Sequence, residues 1–161
     1  MAFTDAGIPY VTKRDAIISL FQANMSTLNN NMVSNTFTSN EQIIGGDPRI
    51  TPTPVGLYPM ITVSMTRKEE AFDMLGAAER RKPWLNYKIF GITRDMRAGK
   101  FQDEIMYLAE NIEQVIRENI TISSNFLWVE PYDTEWGYDD SQEDSFVDIV
   151  VISLRGKVEV K

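Results

Sequence analysis

Phe101, Ile105, Leu108, Ile112 and Val115 recur at spacings of four, three, four and three residues, the most constraining pattern in the chain. A helical period places all five on one stripe. Ala109 and Ile116 widen that stripe, while Asp103, Glu104, Glu110 and Glu113 fall off it. Arg117 suits the negative end of the helix, and Asn119 is an acceptable stop. The pattern predicts an amphipathic helix with one buried face, and such a face requires a second layer to cover it.

The strands supply that layer. Tyr58 to Thr66 alternates, with Ile61, Val63 and Met65 on one side and Met60, Thr62 and Ser64 on the other. Pro59 confines its start to an edge or a first pairing position. A second strand is predicted from Trp84 to Thr93, where Tyr87, Ile89 and Gly91 oppose Lys88, Phe90 and Ile92. A third strand region opens at Ile120 and Ile122, continues through Phe126 to Val129, and is expected to end at Pro131. The fourth, Phe146 to Leu154, is apolar on both faces except for Asp148 and Ser153, the mark of a central or doubly covered strand. The alternating tail from Arg155 to Lys161 is compatible with its extension.

Upstream, Thr12 reads as an N-cap and Asp15 suits a helix start. Ile17, Leu20, Phe21 and Leu28 share a stripe that the run Asn29-Asn30-Asn31 ends, predicting a helix over Lys13–Asn29. From Val33 to Val55 periodicity disappears among Gly45-Gly46-Asp47-Pro48, Pro52 and Pro54. A loop this long is expected to be functional or ordered by a partner. Arg67 to Pro83 is charged and fits either a long hairpin arm or a short helix carrying Ala71, Met74, Leu75 and Ala78. No repeat or linker divides the 161 residues. The expected fold is one α+β domain with a four-stranded, mainly antiparallel sheet, two helices on one face, and the order α-β-β-α-β-β.

Composition narrows the chemistry. The chain has no Cys and no His, which excludes thiol nucleophiles, disulfides, zinc-thiolate sites, Ser-His-Asp triads and imidazole switches. Sixteen Lys and Arg face 23 Asp and Glu, a net charge of −7 that argues against general nucleic-acid binding. Met1 to Tyr10 has neither the basic nor the apolar part of a secretion signal. The longest uncharged apolar run, Ile149 to Leu154, is far short of the roughly 20 residues of a membrane helix. A soluble protein made in a reducing cytoplasm, away from membranes, is expected.

The charges are segregated. Residues 67–100 hold nine Lys/Arg and five Asp/Glu, a net of +4, whereas residues 118–154 hold nine Asp/Glu and no cation. Asp139, Asp140, Glu143 and Asp144 crowd one predicted turn, open to three readings. It is a solvated hairpin tip, a calcium site lacking the usual Asp-x-Asp-x-Asp-Gly spacing, or one half of a head-to-tail contact whose other half is the basic segment.

Catalysis would rest on carboxylates. Glu130, Asp133 and Glu135, near Trp128, Trp136 and Tyr138, are the candidate set, against which stands packing of those rings in the sheet or an interface. Gly45-Gly46 lacks the flanking strand, helix and Lys of a phosphate loop and reads as a turn. Arg80-Arg81-Lys82 reads as a solvated arm before it reads as a DNA contact. No enzyme, cofactor or metal is expected.

The element order resembles the tail-terminator (tail-completion, head–tail joining) proteins of long-tailed bacteriophages. Carrying it are the Lys13–Asn29 helix, the Tyr58-Pro59-Met60-Ile61-Thr62-Val63 strand, the Leu108-Ala109-Glu110-Asn111-Ile112 helix core and the Phe146-Val147-Asp148-Ile149-Val150-Val151 strand. The Val33–Val55 loop and Arg67–Pro83 insert depart from small members. The resemblance implies a virion protein, assembled in the host cytoplasm, whose homo-hexameric ring caps the tail tube at the neck. Its partners would be its own copies, the tube protein, the head–neck connector or stopper and, in contractile tails, the sheath, with DNA passing through unbound. Lys68, Arg80, Arg81, Lys82, Arg94 and Arg97 are then candidate subunit or tube contacts. Asp139, Asp140, Glu143 and Asp144 form a candidate acidic lumen or docking surface. Another connector, or a small cellular adaptor or binding domain, is the alternative.

Overall fold

The computed structural model describes residues 7–47, 58–70, 82–95, 103–139 and 146–159. Helices α1 (Tyr10–Ala23) and α2 (Met25–Leu28) lead through a 3-10 turn at Asn40–Gln42 to strand β1 (Ile43–Gly45). Strands β2 (Met60–Glu69) and β3 (Trp84–Asp95), helix α3 (Asp103–Glu118), and strands β4 (Trp128–Asp139) and β5 (Phe146–Lys157) follow. The chain is α+β, and its sheet has five strands in the order β1-β2-β3-β5-β4. Every neighbouring pair is antiparallel except β1 with β2. The expectation of a four-stranded, mainly antiparallel sheet with two helices is thereby corrected to a mixed sheet of five strands, three of its four pairings antiparallel, with three α-helices among the described residues.

The additional strand arises inside the segment read as a loop. Ser39 and Gln42 form a capping box. Buried Gln42 accepts from the backbone N–H groups of Thr38 (2.7 Å) and Ser39 (2.9 Å) and donates to the Pro59 carbonyl (3.1 Å). Asn29 accepts from the N–H of Phe37 and donates to its carbonyl, at 2.6 and 2.9 Å. Side-chain amides therefore satisfy backbone groups that apolar periodicity does not reveal. Ile43, fully buried, then seats β1 beside Ile61.

Other boundaries move for local reasons. Pro9 precedes the first helix, which begins at Tyr10 without a side-chain cap from Thr12. It breaks at Asn24, whose side chain donates to Leu20 O at 2.8 Å and so competes with the helical ladder. Residues 119–126 are a compact turn in place of a strand start, with Ile122, Ser123 and Ser124 at φ of 44°, 54° and 65°. Buried Ile122 is held in this strained region by the bonds of Ile122 N–H to Asn119 O and Asn125 N–H to Ile122 O. β4 does not stop at Pro131, because on an edge strand the missing N–H interrupts no ladder. β5, paired along its length on both sides, is the central strand its double apolarity required.

The helices share one face of the sheet. Ile17, Phe21 and Leu28 join Ile105, Leu108, Ile112 and Val115 over Ile61, Val63, Leu85, Ile89, Val150 and Ile152 in one core. α3 lies almost on the backbone: a Cβ at Gly91 would meet Val150 at 2.8 Å, Leu108 at 3.1 Å and Ile112 at 3.3 Å. Among the described residues no helix is long and apolar enough to cross a membrane.

The first turn of α3 clasps the chain that follows α2. Glu104 Oε1 accepts from the N–H groups of Val33 and Ser34, both at 2.7 Å, and from that of Asn35 at 3.4 Å. The Asn35 side chain donates to Glu104 Oε2, while its Oδ1 accepts from the Arg94 N–H at 3.0 Å. Burial pushes the Glu104 carboxyl up, but the hydrogen bonds from Ser34, Val33 and Asn35 prevail and hold it below its ordinary value of 4.5. A depressed carboxyl contributes stability above its unfolded pKa and loses it as pH falls through the folded one. Glu104→Ala is expected to lower the unfolding free energy by about 1–3 kcal/mol at pH 7. In urea titrations the variant and the parent should converge in acid; a gap independent of pH would refute the ionised clasp.

Candidate functional site

One end of the sheet gathers rings and cations. In register across three strands stand Trp84 of β3, Lys157 of β5 and Trp128 of β4, followed by Asn86, Arg155 and Glu130. The two indoles meet edge-on with centroids 5.4 Å apart. Lys157 Nζ sits 4.9 Å from the Trp84 ring and 5.4 Å from that of Trp128. The Arg155 guanidinium lies 4.7 Å from Trp84 and 5.6 Å from Tyr132, and bonds Glu130 at 2.5 Å. Cations over aromatic faces are stabilised by the ring quadrupole, so these rings and cations form one contiguous surface cluster.

β4 is the outer strand on this side, and it carries four exposed rings. Trp128 is 39% exposed, Trp136 48%, Tyr132 56% and Tyr138 68%. The register puts Thr134, Trp136 and Tyr138 on the helix-bearing face and Glu130, Asp133 and Glu135 on the other, with an irregularity at Pro131/Asp133. Alternate residues of an antiparallel strand turn their N–H and C=O away from the partner. On β4 these are Val129, Pro131, Thr134, Trp136 and Tyr138. The Val129 N–H donates to Ile120 O at 2.7 Å and Pro131 has none to offer. The near half of the edge is thus closed. The Thr134–Tyr138 half has no backbone partner on its outer side among the described residues.

The residues singled out from sequence are not brought together. Lys68 is exposed at the end of β2 and pairs with Glu70 at 3.5 Å. Lys82 is exposed just before β3. Arg94 lies at the far end of β3, roughly 30 Å along the strand, in register with Val147 and, beyond it, Asp139. Arg80, Arg81, Arg97, Asp140, Glu143 and Asp144 lie outside the described residues, as do the side chain of Asp139 and the centre of the 67–83 arm. Asp139 closes β4 opposite Val147, so the acidic run does connect two strands of a hairpin. Sequence reading missed Arg155, Lys157 and Trp84 as surface residues. The charge alternation of the tail was the available signal.

The carboxylates weighed for catalysis line one exposed strand rather than a cleft. Glu130 is engaged by Arg155, and Trp136 and Tyr138 stand on the face opposite Glu135. Among the described residues no three acidic side chains come close enough to hold a metal ion. An open groove of 680 Å³ runs between α1 and the 119–125 turn, lined by Asp15, hydroxyl and amide groups and, in equal measure, by apolar side chains such as Leu20 and Ile122. Beside it Lys13 donates to the Asn125 carbonyl and lies 5.7 Å from the Phe126 ring, its ammonium pushed down by burial. Burial raises the Tyr87 hydroxyl, against a weaker opposing effect of Arg14.

No protein-family model matches the sequence, and no curated protein matches it. Among solved structures, a chain from the virion of a native gene transfer agent particle is similar, with a TM-score of 0.49 and 12% identity. The match covers 98% of this chain and 99% of that one.

The exposed rings of the outer β4 half are expected to be dispensable for folding. Replacing Tyr138, the most exposed of them, by Ser should change the unfolding free energy by no more than about 0.5 kcal/mol. Trp128→Ala, which strips a ring from Trp84 and Lys157, should cost about 1–2 kcal/mol. Equal losses in denaturant titrations would mean that the outer rings hold the fold.

Proposed function

We propose that this chain is a non-catalytic structural protein of a phage-like virion, and specifically the tail terminator that its element order resembles. In that role a ring of copies, six in the family arrangement, sits on the finished tail tube, blocks further tube subunits and presents a surface to the neck proteins. The observation that supports this most directly is the outer half of β4. Exposed Trp and Tyr beside a strand edge with no outer partner among the described residues are features of surfaces through which subunits join. The segregation of charge along the sheet adds to it. The hairpin tip bearing Asp139, Asp140, Glu143 and Asp144 would face the channel, where like charge keeps passing DNA from adhering. The arm bearing Lys68, Arg80, Arg81 and Lys82 would meet a neighbouring subunit or the tube. Arg94, at the acidic end, is set apart from that arm.

The decisive experiment adds the purified protein to tail tubes while they grow and measures their lengths by electron microscopy. Tubes of arrested length with the protein at one end are expected. Unchecked growth rejects the terminator role. A stable complex with a neck protein but no arrest would move the chain to a stopper or adaptor position.

A further inference from the structure

Among the described residues the sheet has two incomplete edges, one on each side. On the β4 side, Thr134–Tyr138 is open, as described. On the other side, β1 is only three residues long and pairs with Ile61–Val63, after which Gly46 N–H donates to Val63 O. Beyond that point β2 continues through Ser64 to Glu69 with no outer strand among the described residues. We infer that the Thr134–Gly137 edge of one copy pairs with the Ser64–Lys68 edge of the next, so that neighbouring sheets run into one another. The inference deepens the ring reading and rests on it.

Direction, charge and side-chain chemistry agree. β2 and β5 both run antiparallel to β3, and β4 runs antiparallel to β5. β4 therefore opposes β2 in direction, and repeating the sheet edge to edge makes the new ladder antiparallel. With Trp136 set opposite Met65, Thr134 falls opposite Lys68 once the irregularity between Met65 and Arg67 is allowed for. Glu135 then comes beside Arg67 on the open face of the sheet, an opposite-charge cross-strand pair. Trp136 meets a thioether on the helix-bearing face, a favourable sulfur–aromatic contact. The irregularity at Pro131/Asp133 ends the ladder before Asp133 would reach Glu69. Arg67 now bonds Glu69 at 3.3 Å with its side chain 71% exposed, an ion pair weak enough to exchange. The alternative, β4 against β4 across a two-fold axis, would set the acidic half-strand of each copy against its equal. A contact between unlike edges is heterologous, the kind that closes rings.

Because the chain has no Cys, engineered thiols are unambiguous. Copies carrying Glu135→Cys are mixed with copies carrying Arg67→Cys, assembled, oxidised and run on a non-reducing gel, with native mass measured in parallel. A dimer band in the mixture, absent from either variant alone, is expected. A band from Glu135→Cys copies alone overturns the inference in favour of two-fold pairing. Ring-sized assemblies without any band overturn it while leaving the ring standing. Cross-linked assemblies that fail to arrest tube growth would uphold the contact and reject the terminator role. Charge reversal gives a second reading: Glu135→Arg or Arg67→Glu alone should weaken assembly about fivefold per contact, and the two together in one chain should restore it. Failure of the pair to restore assembly, with both single variants folded by circular dichroism, overturns the inference.

Discussion

Leu108 and Ile112 rest against the backbone of β3 at Gly91, and the remainder of the structure depends on that close approach. A helix seated directly on a strand leaves little slack, and α3 is the element from which the irregular segments hang. Glu104 in its first turn holds the backbone of residues 33–35. Asn111 in its middle, buried, donates to Leu28 O at 3.0 Å and Asn30 O at 2.8 Å, closing the end of α2. Asn119 beyond its last turn donates to Val115 O at 2.8 Å and begins the strained turn into β4. Three connections are therefore tied by polar side chains to one apolar stripe, and buried polar groups of this kind fix geometry more than they add energy.

That division explains what the sequence made legible. α3, β2, β3 and the central place of β5 follow from apolar spacing alone, since burial of a face imposes a period that a reader can count. β1, the break at Asn24 and the 119–126 turn do not. Each is decided by amide side chains bonding to backbone groups, one turn back in the chain for Asn24 and Asn119 and farther off where Asn29 meets Phe37 and Gln42 meets Pro59. Asn and Gln carry no period, so their role is visible only when the partners are in place. The same reason hid the extent of β4: Pro131 ends a strand in most positions, and only the sheet order makes it harmless.

Charge was legible in kind but not in position. The acidic run and the basic segment were evident from counting, yet counting along the chain places Arg94 with Lys68 and Lys82, and the antiparallel hairpin places it at the opposite end. In its stead the tail returns Arg155 and Lys157 to the end where Lys82 lies, Arg155 over Trp84 and Lys157 beside both indoles. This arrangement of described charge runs along the strands, with Lys82, Arg155 and Lys157 beside Trp84 and Trp128 at one end and Arg94 at the other. Two hairpins and a long central strand generate it from a sequence whose charges are blocked rather than alternating.

An exposed strand edge is ordinarily a hazard, because it invites pairing with any other edge. β4 meets that hazard differently in its two halves. Towards Trp128 the Ile120 carbonyl, Pro131 and the irregularity at Asp133 close it sterically. Towards Tyr138 nothing among the described residues closes it, and its guard is the charge of Glu135, with Asp133 and Asp139 flanking it in sequence. Steric closure rejects every partner, whereas acidic side chains reject only partners of like charge. An edge guarded in the second way stays apart from its own copies lying edge to edge and accepts a strand that brings a cation. In the proposed ring subunit, selectivity of that sort would keep copies apart until the correct surface arrives. It also makes association dependent on ionic strength, because exposed charges act over about a Debye length and no further.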